Sequence, residues 1–567
     1  MGVRRAVELV LDTARGNQTP LFTYGPLIHN PQVLNIFEEK GIHVINEIPE
    51  NAQGDVIIRA HGIAPRRKAD LEKAGFQIID ATCPRVIKVQ RIIQRHAGQG
   101  CACIIIGDRQ HPEVIGLLGY AGANGYAVDS LDQLKNLPAF DQAIIVAQTT
   151  QNTSLFEDVR QWVARRLPYY KIYNTICDST EKRQAEVKKM AARVDAVVVV
   201  GGFNSGNTRR LVEIAAKAGK PAYHVQTEQD LDPVLFQDVK TVGISAGAST
   251  PNWIIRRVYR KLQQLPLGRA DSLDRYLKFI QRALLLTNIY VALGAGFLCY
   301  ACARLQQLDH YVPQILIAFL YVQSMHILNH LMERKSDRYN DPERAEFYSS
   351  HLPFLTLLAL VAGGAGLLTA YTLGPAAFMM LLVMSVLGCC YNIRLLPDIM
   401  AVHGRYKRLK DIPGSKTILI ALAWGIVTAV FPALDETGKM GAATVVVFLW
   451  SVSMVFARTV FFDILDIQGD RIVGKETLPI LVGEKQSRRF LTYLIVLSLL
   501  LLLLPAATGL ISPLAFLLSI CPLLMGVFLL ASEKELILPG FNLQFLVESI
   551  FVLAGLVSFF WHLAGAA

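Results

Sequence analysis

Apolar and polar positions follow two different rhythms along the 567 residues of the chain. Up to about residue 265 the apolar runs are short and broken by charges. Many are β-branched and end in a polar cluster: DVIIRAHG, QIIDATCP, CIIIGDRQHPE, AIIVAQTT, YNTICDST, VVVVGGFNSGN and TVGISAGAST. Helix-patterned segments separate them, which predicts an α/β domain. Parallel sheets bind ligands beyond the carboxyl ends of their strands, so seven such endings predict one polar cavity. The chain opens MGVRRAVELV, in which Val3, Ala6, Val7 and Val10 recur at helical spacing while Arg4 and Arg5 are polar.

From about residue 280 onward the rhythm changes to long uncharged stretches such as LTYLIVLSLLLLLLPAATGLI. A hydrocarbon core about 30 Å thick needs about 20 apolar residues in a helix. Nine candidate spans satisfy this, near 282–303, 311–330, 351–371, 375–393, 416–433, 441–462, 489–508, 512–531 and 542–564. The second half is therefore expected to be an all-α membrane domain of about nine transmembrane helices. Between the halves, QQLPLGRADSLDRYLKFIQRA has a Pro/Gly break and then a basic amphipathic segment, which predicts a linker and an interfacial helix.

The formal net charge of +10 would suit nucleic acid, but the basic residues sit where membrane topology would put them. Arg334, Lys335, Arg338 and Arg344 come after the second span, Arg394 to Lys410 after the fourth, and Arg471 to Arg489 after the sixth. The alternate loops carry one or two such residues. This positive-inside bias excludes a nucleic-acid reading and predicts a cytoplasmic N-terminal domain on a multi-pass inner-membrane protein in contact with lipid. An odd span count would put the C-terminus outside. Nine cysteines are scattered along the chain, five of them in the membrane half, and a cytoplasmic setting disfavours disulfides.

Two cysteines stand at strand-to-helix turns, Cys83 and Cys177. A thiolate there gains from the helix dipole and from unpaired N–H groups. Each also reads as a buried structural cysteine, as Cys101 and Cys103 do inside an apolar strand. His29, His61 and His111 lie at loop positions where a satisfied structural histidine is equally consistent. The run Asn204 to Thr208 precedes TRRLVEIAAKAG and reads either as a helix cap or as an anion site of N–H and hydroxyl donors.

Taken in order, LIHN, RAHG, ATCP, HPEV, QTT, TICDST, NSGN and GAS make a set that resembles the IspH/LytB family, the 4-hydroxy-3-methylbut-2-enyl diphosphate reductases. The resemblance spans essentially residues 2–262. It implies a [4Fe–4S] enzyme that removes the substrate hydroxyl with two electrons and protons, giving isopentenyl and dimethylallyl diphosphate. It further implies an electron donor such as ferredoxin or flavodoxin. By carry-over, Cys83 and Cys177 are cluster ligands. His29, His61, His111, Ser205, Asn207 and Ser249 hold the diphosphate, Glu113 belongs to the proton path, and Thr149 lies close to the reacting carbon chain. The family pattern G-F-C-x-G-V-x-R-A aligns its tail with Gly2 to Ala6. That alignment predicts a third cysteine and a first strand upstream of Met1, and a start site set too late.

In the membrane half the polar residues near the span ends carry the chemistry. FFDILDIQGDRIVGKETLP contains Asp463, Asp466 and Asp470, which spacings of three and four put on one helix face. Like charges so placed repel unless a cation joins them, so divalent metal with a phosphate substrate is one reading and a solvated helix the other. NHLMERKSD, after the second span, puts Asn329, Glu333 and Asp337 on one face in the same way.

This pair resembles the aspartate-rich motifs of UbiA-type membrane prenyltransferases over about residues 275–565. The resemblance implies Mg²⁺-assisted loss of diphosphate from a polyprenyl donor and attack on the allylic cation by an acceptor. These five carboxylates and Asn329 are the implied Mg²⁺ ligands, with Arg471 and Lys475 on the diphosphate. The first motif departs from the usual N-D-x-x-D-x-x-x-D, because His330 and Glu333 replace two aspartates, and histidine is a poor ligand for a hard cation. Tyr391, Asn392 and Lys410 fall where the family places further substrate contacts.

The expected organisation is a reductase domain over 1–262, a linker and interfacial helix over 263–279, and a membrane prenyltransferase domain over 280–567. Two other arrangements use the same residues. In one, a working prenyltransferase carries a cluster-free regulatory domain. In the other, the membrane domain only anchors the reductase.

Overall fold

A computed structural model describes residues 2–16, 19–28, 30–265, 272–332, 337, 339–390, 414–475, 477–534, 536–537 and 540–566. The chain divides into two units, Met1–Ala270 and Asp271–Ala567.

The first unit is built on three parallel sheets. Strands β1 (Leu21–Tyr24), β2 (Ile42–Ile45), β3 (Asp55–Ile58) and β4 (Gln77–Asp80) pair in the order β2-β1-β3-β4. Strands β5 (Ala102–Ile106), β6 (Gly125–Val128), β7 (Ala143–Ala147) and β8 (Lys171–Ile172) pair as β6-β5-β7-β8. The third sheet places β9 (Ala196–Val200) between β10 (Ala222–Val225) and β11 (Val242–Ala246). Among the described residues every strand pairing is parallel. The central strands β5, β7 and β9 are buried at every residue, which is why their sequences run apolar without alternation.

Helices return the chain between strands, among them α2 (Pro31–Glu39), α3 (Pro65–Lys73), α6 (Leu131–Lys135) and α7 (Thr153–Arg166). The four that matter for the site are α4 (Pro84–Ala97), α5 (Pro112–Ala121), α8 (Asp178–Ala191) and α9 (Gly206–Lys217). Proline holds the first position of α4 and α5, where its missing N–H costs no hydrogen bond. Helix α1 (Gly2–Gly16) does begin at residue 2, as the opening pattern predicts.

The second unit is helical. Among the described residues, seven helices are long and apolar enough to cross a membrane, or eight if the bent pair Tyr276–Leu286 and Ile289–Leu305 counts as one span. The fourth expected span, near 375–393, appears as Pro375–Cys390, a shorter apolar helix whose sequence continuation lies outside the described residues. The bent pair meets at 74°, at Asn288, whose backbone is left-handed with φ 60°. That angle separates the amphipathic segment expected at the interface from the apolar helix that comes after it. In the interior, Arg458 donates two 2.9 Å hydrogen bonds from Nε to the two oxygens of Glu548, and both residues are buried. A guanidinium and carboxylate paired in this way neutralise each other where neither could stand alone.

Candidate active sites

Four helices of the first unit start at residues singled out from the sequence. Cys83, His111, Cys177 and Ser205 are the N-cap residues of α4, α5, α8 and α9, each with extended backbone. Neither cysteine uses its side chain to cap its helix. The partial positive charge of the helix starts favours anions there.

Contacts between strand ends tie these caps together. Cys83 N donates to Ala60 O, linking the ATCP and RAHG turns. Arg85 pairs with Asp178, linking the first turns of α4 and α8. Cys177 N donates to Thr149 O at 2.9 Å, and Cys177 Sγ lies 3.1 Å from Ser179 Oγ. The rings of His61 and His111 are edge to face, with centroids 5.2 Å apart. A Cβ placed on Gly206 would lie 3.8 Å from the His111 ring, so α9 starts beside α5. A Cβ on Gly2 would collide with Cys83 Sγ, so the start of α1 packs on that sulfur and no side chain fits there.

Glu113 is the most confined carboxylate of the unit, at 1% exposure. Its Oε1 accepts the Thr149 N–H at 2.7 Å and its Oε2 the Thr149 hydroxyl at 2.9 Å. Burial pushes its carboxyl above the usual range, opposed by the two Thr149 hydrogen bonds and by the Arg210 charge. His111 Nδ1 accepts the Glu113 N–H at 3.1 Å, which orients the imidazole. Arg210 belongs to none of the sequence motifs. It donates to Thr150 O and Thr150 Oγ1 and, at 3.3 Å, to Gln148 Oε1, and so fixes the QTT turn from behind. Burial lowers its pKa, with Glu113 opposing the shift.

Asn207 is 7% exposed, and neither its amide nitrogen nor its amide oxygen has a hydrogen-bond partner among the described residues. A buried amide left so is costly, and a bound polar ligand removes the cost. Ser205 Oγ accepts the Thr208 N–H, and Ser249 lies just beyond β11 on the neighbouring turn. Gly247 carries no Cβ because one would collide with Thr208 Oγ1. His29 lies outside the described residues. A cavity of about 690 Å³ borders this region through His111, Gly206 and Arg210 but does not include Cys83, Cys177 or Glu113.

In the membrane unit Asp463, Asp466 and Asp470 share the helix Ala442–Val473. Asp463 Oδ2 accepts the Thr417 hydroxyl at 2.9 Å, and Asp470 Oδ1 accepts from Asn340 Nδ2 at 2.7 Å. Lys475 N folds back onto Asp470 O, and Arg471 is half-buried next to Asp470 in the chain. An apolar cavity of about 290 Å³ has Asn329, His326 and Lys416 among its lining residues, with Trp424 in its wall. His330 bridges Asp337, 3.0 Å away, and Arg344, 2.9 Å away. Glu333, Tyr391, Asn392 and Lys410 lie outside the described residues. Thr417 and Asn340 belong to no motif legible by spacing, and Arg344 is legible only as a positive-inside loop residue.

Among the described residues no three His, Cys, Asp or Glu side chains stand close enough together to hold a metal ion. The donor types nonetheless fit the implied groups. Cys83 and Cys177 are soft thiol donors at two linked helix caps, and the second motif is all hard carboxylate oxygen.

Comparison with known proteins decides the family. The LytB protein family model matches residues 1–263. The 4-hydroxy-3-methylbut-2-enyl diphosphate reductase of Aquifex aeolicus is 42% identical over 275 residues, covering 48% of this chain and 95% of the relative. Through its first half, the chain belongs to the LytB family. A solved structure of (E)-4-hydroxy-3-methyl-but-2-enyl diphosphate reductase is 41% identical, with TM-score 0.37, covering 47% of this chain and 95% of that one. The UbiA prenyltransferase family model matches residues 288–535, so the LytB domain is fused to a UbiA-family membrane domain. A UbiA homolog from Aeropyrum pernix is similar at 14% identity and TM-score 0.37, covering 47% of this chain and 97% of that one.

Proposed function

We propose that the LytB domain reduces 4-hydroxy-3-methylbut-2-enyl diphosphate to isopentenyl and dimethylallyl diphosphate. The observation that carries this reading is the buried Glu113–Thr149 pair held beside the helix cap of Cys177. The reaction takes up two electrons and two protons and releases the substrate hydroxyl as water. Cys83 and Cys177 would hold iron of a [4Fe–4S] cluster, which when bound supplies electrons and a Lewis-acidic iron for the hydroxyl oxygen. His61, His111, Ser205, Asn207 and Ser249 bind the diphosphate, and His29 joins them by resemblance. The four helix starts and the empty hydrogen-bonding capacity of Asn207 suit an anion. Burial pushes Glu113 toward its protonated form. Once Glu113 is protonated, the bond between Oε2 and Thr149 Oγ1 runs from the carboxyl to the hydroxyl oxygen, and Glu113 passes its proton to Thr149 as Thr149 gives its own to the leaving hydroxyl. A low-potential protein such as ferredoxin or flavodoxin delivers the electrons.

The UbiA-family domain in this reading is a prenyltransferase for allylic diphosphates. The apolar cavity takes the isoprenoid tail, and Asp463, Asp466 and Asp470 would hold Mg²⁺, with Arg471 and Lys475 on the diphosphate. Magnesium held there would supply positive charge to offset that of the leaving diphosphate. The positive-inside charge of the loops supports an inner-membrane protein with its LytB domain in the cytoplasm.

Iron and acid-labile sulfide analysis of the anaerobically purified full chain tests the reductase reading. The two are expected in equal amounts in the unmodified protein and depleted in Cys83→Ser and Cys177→Ser. A chain free of iron that still transfers prenyl groups would point instead to a regulatory LytB domain.

A further inference from the structure

The two acidic motifs of the membrane domain are built differently. At the second, Asp463 and Asp470 accept hydrogen bonds from a threonine hydroxyl and an asparagine amide, neutral donors that leave the carboxylate charge in place. At the first, His330 stands where the family pattern has aspartate, and both of its ring nitrogens are engaged. Nε2 lies 2.9 Å from Arg344 Nη1, and Nδ1 lies 3.0 Å from Asp337 Oδ2.

A guanidinium has donors only, so Nε2 presents its lone pair to Arg344 and Nδ1 carries the proton that Asp337 accepts. Imidazole binds a metal through an unprotonated nitrogen, and His330 has none left over. Arg344 is itself fixed in place. It is 5% exposed and reaches Asp341, Asn288 Oδ1 and Gln544 Oε1, with its nitrogens 3.3 Å from each. Its charge is permanent, because guanidinium is not deprotonated in proteins. A cation therefore already stands one imidazole away from Asp337.

We propose that Arg344, acting through His330, is the resident cation of the first motif. Asp337 is then a positioning residue for that relay rather than a metal ligand, and the diphosphate site takes a single divalent ion, on Asp463, Asp466 and Asp470. This rests on the prenyltransferase reading of the domain. It also gives a physical reason for histidine at position 330: aspartate there would face Asp337 with a second negative charge, whereas imidazole accepts from Arg344 and donates to Asp337.

Manganese binding tests the assignment without any turnover. The full chain in detergent is titrated with Mn²⁺ at saturating inorganic pyrophosphate, and free Mn²⁺ is read by electron paramagnetic resonance. The bound ions that Asp466→Asn abolishes are those of the membrane site. One such ion per chain is expected, retained in Asp337→Asn and joined by a second, spin-coupled ion in His330→Asp. Two coupled ions in the unmodified chain would overturn the inference, as would loss of the ion in a monodisperse Asp337→Asn. The unmodified chain decides the matter alone if either variant fails to assemble. Absence of any Asp466-dependent ion would instead remove the prenyltransferase reading on which the inference rests.

Discussion

Replacing Glu113 with glutamine is expected to lower reductase turnover by about 10²–10⁴-fold, the usual weight of a general acid, without loosening the fold. Glutamine keeps the shape of the side chain and its oxygen still accepts from Thr149, so only the transferable proton is lost. Burial shifts Glu113 toward its protonated form, against the Thr149 hydrogen bonds and the Arg210 charge. A carboxyl raised in the folded state favours folding fully below the ordinary carboxylate value, and this contribution is lost as pH rises through the raised value. At neutral pH the variant should therefore melt at the same temperature as the parent or higher, although its turnover has collapsed. Turnover of the parent should fall as pH rises through the raised Glu113 value, and that limb should be missing from the residual rate of the variant. A variant with parental turnover would remove Glu113 from the proton path. One that melts far lower would make it a structural residue.

Asp466→Asn should abolish Mg²⁺-dependent prenyl transfer and leave the reductase rate alone. Even groups that only orient a metal's ligands cost about 10–100-fold when removed, so loss of a ligand should cost about a hundredfold or more. Asparagine preserves size and one oxygen, and the position is only half-buried, so the helix Ala442–Val473 should survive the change. The informative assay measures diphosphate release and reductase products in the same preparation. Parallel loss of both would signal unfolding, and loss of neither would exclude the second motif as the metal site.

The parts of this molecule that are legible in its sequence are those where one residue type has one reason to be where it is. Buried runs such as VVVVGG suit central parallel strands, and the polar residues directly after such runs face the open carboxyl edge. On that ground Cys83 and Cys177 are expected at strand-to-helix turns and the run Asn204 to Thr208 at a helix cap. The structure has Cys83, Cys177 and Ser205 at helix starts, with His111, legible in sequence only as a loop histidine, at a fourth. Asp463, Asp466 and Asp470 declare themselves by spacing on an otherwise apolar helix. The buried arginines are harder to see. Arg210 is adjacent to the exposed Arg209, and nothing local distinguishes the one that turns inward onto Gln148 and Thr150. Arg344 has the sequence signature of a positive-inside loop residue, whereas its partners Asn288 and Gln544 are far away along the chain. Long-range pairing of this kind leaves no periodic trace. The bend at Asn288 is equally hidden, since a left-handed asparagine carries no flanking signal.

That the LytB domain is a working diphosphate reductase is tested most directly by product analysis. The iron-reconstituted full chain is incubated anaerobically with 4-hydroxy-3-methylbut-2-enyl diphosphate and excess reductant. Isopentenyl and dimethylallyl diphosphate together, formed about 10²–10⁴-fold more slowly with Glu113→Gln, are the predicted result. Unchanged substrate over a chain that has taken up iron and sulfide would contradict it.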